Sequence, residues 1–338
     1  MVALRRHDAS QGAFTLVEML VVLVIIGLLA GLTTTVVVSA RRSVNSSVVS
    51  MMEAQLSVAL DEYKNRYGEY PPDFSDPDAV MRHVRKRWPR YYVPDYDCFL
   101  ADIWYGSRLS SSGVSSPLPS DIDDLISVTT RTVRPQPYVS ALAFWLGGLP
   151  DENGVPSGFY ASAKCPLGVI RNRSTNKVSY IQRPERAKRE PPLYSFEKKH
   201  MKAYLVGKND AVMEEVSEQY VGYGPAYCQG GFPILYFRPS ANSGYGAKYL
   251  YFNNADEVSC AVPYARGFLR SGSGIDWYES ERFQLVHPGA DGLFGNADYT
   301  VGADFVRTLQ PKSATVGMAD DDNVTNFVEQ GGLEGEYK

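Results

Sequence analysis

The feature that most constrains this chain is an uncharged apolar run near its start. Met19 to Ala40 is a stretch of 22 residues without a charged side chain. A helix rises about 1.5 Å per residue, so this run spans about 33 Å, close to a bilayer core of about 30 Å. A secretory signal peptide has a shorter apolar region, of about 7–15 residues, before a cleavage site of small residues. The run therefore predicts a transmembrane helix.

A single carboxylate, Glu18, lies at the boundary between this run and a polar N-terminus that carries Arg5 and Arg6. A carboxylate near a membrane is costly and normally has a function or a partner. The alternative is that Glu18 lies at the level of the lipid headgroups and reaches water. The residues around it favour a functional role.

The segment from Gly12 to Glu18, GAFTLVE, resembles the class III leader of type IV pilins and type II secretion pseudopilins. The resemblance implies cleavage between Ala13 and Phe14 by a prepilin peptidase, followed by N-methylation of Phe14. Ala13 departs from the family pattern, in which glycine is commoner before the cut. The resemblance also implies that Glu18 pairs with the Phe14 amine of a neighbouring subunit. Either ion alone would cost several kcal/mol to bury, so this pairing would set the register of assembly.

Beyond Arg41 and Arg42, apolar side chains recur at spacings of three and four, which predicts an amphipathic helix. The stripe consists of Val49, Met52, Leu56, Ala59, Tyr63 and Tyr67. Gly68 ends the pattern, and Pro71 and Pro72 exclude its return. We therefore expect one helix over 14–67. The segment 68–71, Gly-Glu-Tyr-Pro, also resembles the end of the stem in major pseudopilins. In this chain a large insertion follows it.

The rest of the sequence predicts an α+β fold: a pilin-like fold with a long N-terminal transmembrane and amphipathic helix and a C-terminal antiparallel sheet. A mostly helical and loop insertion enlarges it. The expected organisation is a leader at 1–13, a transmembrane helix at 14–40, a stem at 41–70, an inserted globular region at 71–230, and a β region with an acidic loop at 231–338. Helices are predicted at 77–88, 121–129, 138–146 and 209–220, a loop-rich segment at 165–208, and strands at 232–238, 248–252 and 282–287.

The acidic loop is a candidate calcium site. Residues 291–338 hold nine acidic against three basic side chains, and clustered carboxylates and amides suit a cation that takes 6–8 oxygen ligands. The spacing is not that of an EF-hand. Resemblance to the C-terminal loop of major pseudopilins implies a structural calcium with Asp291, Asp320, Asp321 and Asp322 as ligands, and Asn296 and Asp298 as weaker candidates. The alternative is an acidic, solvated tail.

Other classes of function have less support in the sequence. The formal net charge of −4 argues against a dedicated nucleic-acid binder, although basic runs occur at 82–90 and 183–189, the first with the aromatic residues Trp88, Tyr91 and Tyr92 interleaved or adjacent. No GxSxG, HExxH or P-loop motif is present, so we expect no enzyme. Four cysteines permit one or two disulfides in an oxidising compartment, or buried free thiols.

The resemblance implies a structural subunit of a type II secretion or type IV pilus-like filament. Its partners would be other copies and other pseudopilins, the prepilin peptidase, the inner-membrane assembly platform and ATPase motor, and secreted protein cargo, with nucleic acid unexpected. It would cross the bacterial inner membrane once, with its N-terminus in the cytoplasm and most of its residues in the periplasm. The alternatives are a minor pilin with a substrate- or surface-binding head, or a membrane-anchored extracytoplasmic enzyme.

Overall fold

The structure, a computed structural model, places most of the chain from residue 15 onward. It describes residues 15–108, 137–175, 177–181, 186–205, 219–225, 233–239, 245, 250–254, 257–268, 275–289, 294, 299–301, 304–308 and 323–327. The chain divides into two compact units, Met1–Val44 and Asn45–Lys338.

The first element is the long helix α1, Leu16–Tyr67. It ends where Gly68 adopts a positive φ of 81° and its N–H donates to the carbonyl of Lys64 at 2.7 Å. Glycine takes this left-handed conformation without the steric cost that a Cβ would bring, which explains why the helix stops here. The predicted helix over 14–67 is confirmed within the described residues.

Three shorter helices follow. Helix α2, Pro77–Arg87, is capped by the Asp76 side chain, which accepts from the backbone N–H groups of Asp78 and Ala79. Helix α3 spans Tyr96–Arg108, and helix α4, Pro137–Leu142, continues into a buried π-helical turn, Ala143–Gly147. The structure confirms the predicted helices at 77–88 and 138–146. The predicted helix at 121–129 lies outside the described residues.

Thirteen strands are described, and they pair into five small sheets. They are β1 Val169–Arg171, β2 Val178–Tyr180, β3 Met201–Leu205, β4 Gln219–Tyr223, β5 Leu235–Phe237, β6 Leu250–Asn254, β7 Glu257–Ala261, β8 Tyr264–Phe268, β9 Ile275–Trp277, β10 Gln284–His287, β11 Tyr299–Val301, β12 Asp304–Thr308 and β13 Val324–Thr325. The sheet orders are β1-β2, β3-β4, β6-β7, β13-β10-β5 and β11-β12-β8-β9. Pairing is antiparallel except between β12 and β8.

The main core of the Asn45–Lys338 unit is aromatic and is centred on Trp145. Its indole packs against the rings of Phe74, Trp88 and Phe99 at centroid separations of 5.5, 6.3 and 6.4 Å. Aromatic rings bury large areas, and stacked contacts such as these, with interplanar angles of 22°, 24° and 24°, add further stability. The π-helical turn therefore holds the centre of the core.

A buried ion pair ties α3 to β1. The Arg171 guanidinium donates from Nη2 to Oδ1 of Asp102 at 2.5 Å, and neither side chain is exposed. Tyr91 also donates to the Asp102 carboxylate. Such a pair is strongly destabilising if one partner is lost, because the other charge then remains buried and uncompensated.

Several sequence predictions need correction. The segment 165–208 contains the strands β1, β2 and β3, which the sequence analysis did not predict, although most of its described residues lie outside strands, as expected of a loop-rich segment. Residues 219 and 220 belong to a strand rather than to the predicted helix at 209–220, whose remainder lies outside the described residues. Cys98 and Cys165 are buried free thiols; Cys228 lies outside the described residues, and only the backbone of Cys260 is described. The expected α+β class is confirmed, but the insertion contains more strands than predicted, because strands of three to five residues show too little periodicity in the sequence.

Candidate functional site

The predicted assembly residue Glu18 lies in the first turn of α1, where it closes a capping box with Thr15. The backbone N–H and the hydroxyl of Thr15 donate to Oε2 of Glu18 at 2.9 and 2.8 Å, and the N–H of Glu18 donates back to Thr15 Oγ1 at 3.2 Å. This reciprocal pattern satisfies backbone donors that a helix N-terminus otherwise leaves unpaired. Ala13 and Phe14 lie outside the described residues, so cleavage and pairing with the Phe14 amine stay predictions.

The part of α1 that follows Glu18 presents an apolar surface all round. Every residue from Thr15 to Gly31 is exposed, including Leu16 at 80%, Leu23 at 68% and Leu28 at 62%. A helix that is apolar on every face is normally buried in protein or in a membrane. This surface is therefore typical of a helix that lies in an apolar environment.

No membrane-crossing helix, judged by length and apolar character, was found among the residues that the structure describes.

In the Asn45–Lys338 unit, α1 has two apolar faces. One face is buried in the core and includes Leu56, Leu60 and Tyr63, each 0% exposed. The other carries Met51 and Val58, which are 55% and 68% exposed, together with exposed Ala54. We call Met51, Ala54 and Val58 the outer stripe. Their spacing of three and four places them on one side of the helix, which is typical of a helix-packing surface.

The buried face also contains a carboxyl group, Glu53, that the sequence analysis missed. Glu53 is 1% exposed, and neither of its side-chain oxygens has a hydrogen-bond partner. Burial raises its pKa well above the ordinary value, because removal from water disfavours the charged form. The sequence signal was a glutamate inside an otherwise apolar stripe, between Val49 and Leu56.

A second buried polar group, His83, joins α1 to α2. Its Nε2 lies 2.6 Å from the hydroxyl of Tyr63, and its Nδ1 lies 2.7 Å from Oε1 of Glu69. Arg87 donates to the same Tyr63 hydroxyl at 2.7 Å. The tyrosine O–H can therefore donate to Nε2 while Nδ1–H donates to the carboxylate, so both ring nitrogens of a neutral imidazole are hydrogen-bonded.

The charges around this network agree with a neutral His83. Burial lowers its pKa to about 4, although the hydrogen bond and charge of Glu69 act in the opposite direction. Burial raises the pKa of Glu69, but contacts with His83, Arg238 and Lys86 outweigh burial and lower that pKa overall. At a pH above the ordinary pKa range of histidine, His83 is neutral, and its contact with Glu69 is a hydrogen bond rather than an ion pair.

The predicted calcium ligands Asp291, Asn296, Asp298, Asp320, Asp321 and Asp322 all lie outside the described residues. Within the described ranges, no group of three or more His, Cys, Asp or Glu side chains is placed to hold a metal ion. Next to the predicted ligands, however, Asn323 is 0% exposed and its Oδ1 has no hydrogen-bond partner among the residues that the structure describes. Its amide nitrogen donates to the hydroxyl of Tyr264 and the carbonyl of Phe294. The nearby hydroxyl of buried Thr325 is also unpartnered.

Comparison with known proteins identifies one part of the chain. Residues 8–34 match the family described as the prokaryotic N-terminal methylation motif. The motif supports a protein that is like type IV pilins or pseudopilins, a class that is typically anchored in a membrane. No curated protein and no solved structure matched the chain.

Proposed function

We propose that the chain is a structural subunit of a type II secretion or type IV pilus-like filament, assembled from the bacterial inner membrane. The observation that carries this proposal is the methylation motif at residues 8–34 at the start of a helix whose residues 15–31 expose apolar side chains on every face. A membrane-anchored enzyme would need the same apolar surface, but the methylation motif beside it favours a subunit that is stored in lipid and then stacked against other helices. In this proposal the 22-residue uncharged run spans the membrane once, with the bulk in the periplasm.

Under this proposal the outer stripe packs against the stem of another copy. Met51 and Val58 offer exposed apolar side chains, and Ala54 between them allows a close helix approach. The peptidase, the membrane platform and the ATPase motor are separate partners, and the subunit itself catalyses no reaction.

The primary test combines mass spectrometry of the mature N-terminus with disulfide crosslinking of the full chain in membranes. We expect the isolated protein to begin at N-methylated Phe14. Met51→Cys should crosslink copies to one another, whereas the buried control Ala59→Cys should not, and Glu18→Ala should reduce the Met51→Cys product. A protein that begins at Met1, or that lacks the uncharged run, would overturn the proposal.

Two alternatives have distinct outcomes in the same test. A minor pilin with a binding head would be processed in the same way but would be far less abundant in purified filaments than a shorter subunit. A membrane-anchored enzyme would not crosslink through its outer stripe.

Calcium binding by the acidic loop is a second, independent proposal. It is supported by the orphaned amide oxygen of Asn323, a ligand type that calcium accepts, beside Asp320, Asp321 and Asp322 in the sequence. Asp291, Asn296 and Asp298 are the further candidates. The calcium ion would bind these oxygens and thereby stabilise the C-terminal region.

The full chain should melt at a higher temperature in calcium than in chelator, and Asn323→Leu should remove that difference. No difference for the wild type would exclude the site.

A further inference from the structure

Three arginines on α2 and in the turn after it are not explained by the fold or by the proposed stem packing. Arg82, Arg85 and Arg90 are all exposed. Within the part of the chain that the structure describes, none of the three takes part in an ion pair, a hydrogen bond or a ring contact. By contrast, the ammonium of Lys86 on the same helix lies 3.6 Å from Oε1 of Glu69. We call Arg82, Arg85 and Arg90 the basic face.

The helix alone does not account for the basic face. A cation in the last turn interacts favourably with the negative end of the helix dipole, and this explains Arg85. Arg82 lies further from the helix end, and Arg90 lies beyond it. Arg82 and Arg85 are three residues apart, so they are neighbours on the helix surface and repel each other. A partner that carries negative charge would relieve this repulsion.

Nucleic acid is not the partner that the structure favours. Trp88 and Tyr91 are buried, at 7% and 5% exposed, so they cannot stack on bases without disruption of the core. The ring of Tyr92 is already covered by Arg173, whose Cζ lies 5.3 Å from the ring centroid. The overall charge of −4 would also repel a phosphate polymer.

Carboxylates collect elsewhere in the same unit, around Arg282. Its guanidinium nitrogens lie 2.8 Å from Oδ2 of Asp61 and 3.8 Å from Oε2 of Glu279. Glu62 and Glu281 are the sequence neighbours of Asp61 and Arg282, and both are exposed. Neither of these two side chains forms an ion pair or a hydrogen bond in the described ranges. We call Asp61, Glu62, Glu279 and Glu281 the acidic patch.

The acidic patch has more carboxylates than cations. Besides Arg282, the nearby cation is Lys64, whose ammonium lies 4.5 Å from the centroid of the Tyr70 ring. The hydroxyl of Tyr70 donates to Asp61 at 2.7 Å, which places Lys64 beside the patch. Four carboxylates therefore share two cations, and negative charge is left over.

The basic face and the acidic patch belong to different sides of α1. Arg87 holds α2 on the side that carries Tyr63 and Tyr67, since its guanidinium donates to their hydroxyls at 2.7 and 3.2 Å. At about 100° per residue, Asp61 lies about 120–160° away from these tyrosines around the helix axis. This separation favours a contact between two copies over a contact within one.

We propose that the basic face of one copy binds the acidic patch of a second copy. Each surface carries exposed charges without partners in its own subunit, and the two surfaces have opposite signs. Glu62 follows Val58 of the outer stripe by four residues, so the acidic patch continues that side of α1. A copy that packs on the outer stripe therefore also approaches the acidic patch.

The proposed contact joins two different surfaces and is therefore heterologous. Heterologous contacts that do not close into a ring build open helical filaments. This inference rests on the proposed filament function and adds a charged contact to the packing of the stems.

The test uses the full chain in membranes, expressed as two copies with different tags. Arg85→Cys in one copy and Glu281→Cys in the other should give a disulfide between the tags, and high salt should reduce it because exposed charges are screened. Arg82→Glu with Arg90→Glu in the first copy should lower the product by about tenfold. Glu62→Lys in the second copy should then restore a large part of it, which also shows that the reversed copy is folded.

The matched control reverses two other exposed basic side chains, with Arg186→Glu and Lys188→Glu in the first copy. This control should leave the product unchanged. The Met51→Cys crosslink, measured in parallel, separates this inference from the filament proposal. If the Met51→Cys product forms while the product between the two charged surfaces does not, only the present inference fails. If Met51→Cys gives no product, the filament proposal fails.

Three other results would overturn the inference. One is a disulfide that forms only when both cysteines are in the same chain, since the two surfaces would then meet within one subunit. Another is a product that responds equally to the reversals on the basic face and to the control reversals. The third is retention of duplex DNA by the wild type but not by the variant with the reversed basic face.

Discussion

Replacement of Glu53 should stabilise the protein, because its carboxyl group is buried without a partner. A buried polar group without a hydrogen bond costs about 1–3 kcal/mol, and a charged one costs more. Glu53 is 1% exposed with both oxygens unpartnered. Methionine has a similar length and no polar hydrogen-bonding group of comparable strength. We therefore expect Glu53→Met to raise the free energy of unfolding by about 1–3 kcal/mol.

The effect should also depend on pH. The pKa of Glu53 is raised in the folded state, so the folded protein binds more protons than the unfolded chain once the pH exceeds the ordinary pKa of about 4.5. The contribution of Glu53 to stability therefore falls as pH rises from there to the folded pKa. Glu53→Gln cannot ionise, so the stability of this variant should lack the fall with rising pH that Glu53 causes in the wild type.

The assay is chemical and thermal unfolding of the full chain in detergent, followed by tryptophan fluorescence, which reports on the core around Trp145. One kcal/mol corresponds to a shift of about 2–4 °C in melting temperature for chains of about 150–250 residues. Glu62→Met, on an exposed position of the same helix, is the matched control and should stay within about 0.5 kcal/mol of the wild type. A destabilised Glu53→Met protein, or equal shifts for both variants, would refute the reasoning.

Three further predictions concern the fold of the same unit. Arg171→Met should destabilise the protein by about 3–5 kcal/mol, because it leaves Asp102 buried and unpaired, and the double variant with Asp102→Leu should recover much of this loss in denaturant titrations. Gly158→Ala should prevent stable folding, because a Cβ there would lie 1.7 Å from a backbone carbonyl oxygen. The control Gly154→Ala is also at positive φ but faces open space, so it should cost only about 1–2 kcal/mol of stability. Equal melting temperatures for the two variants would contradict this prediction. His83, whose pKa falls to about 4, should lower stability as the pH drops from about 6.5 to 4, and a variant with glutamine there should show a flatter stability profile over that range.

The sequence indicated those features that depend on local pattern. The uncharged run and the stripe ending at Gly68 together predicted α1, since helix periodicity and helix stops are encoded within a few residues. The helix at α2 followed from Asp76 and Pro77 for the same reason. The methylation motif, likewise local, was found independently by the family comparison.

Contacts between residues that are far apart in the sequence could be seen only in the tertiary structure. No spacing in the sequence linked Asp102 to Arg171, or placed His83 between Tyr63 and Glu69, because each partner is contributed by a different element. The short strands between 165 and 205 likewise owe their conformation to paired backbones, which three or five residues do not reveal on their own. Burial, too, comes only from packing. It made Glu53 a carboxyl group without a hydrogen-bond partner among the described residues of the core, and it left Arg82 and Arg85 of α2 exposed.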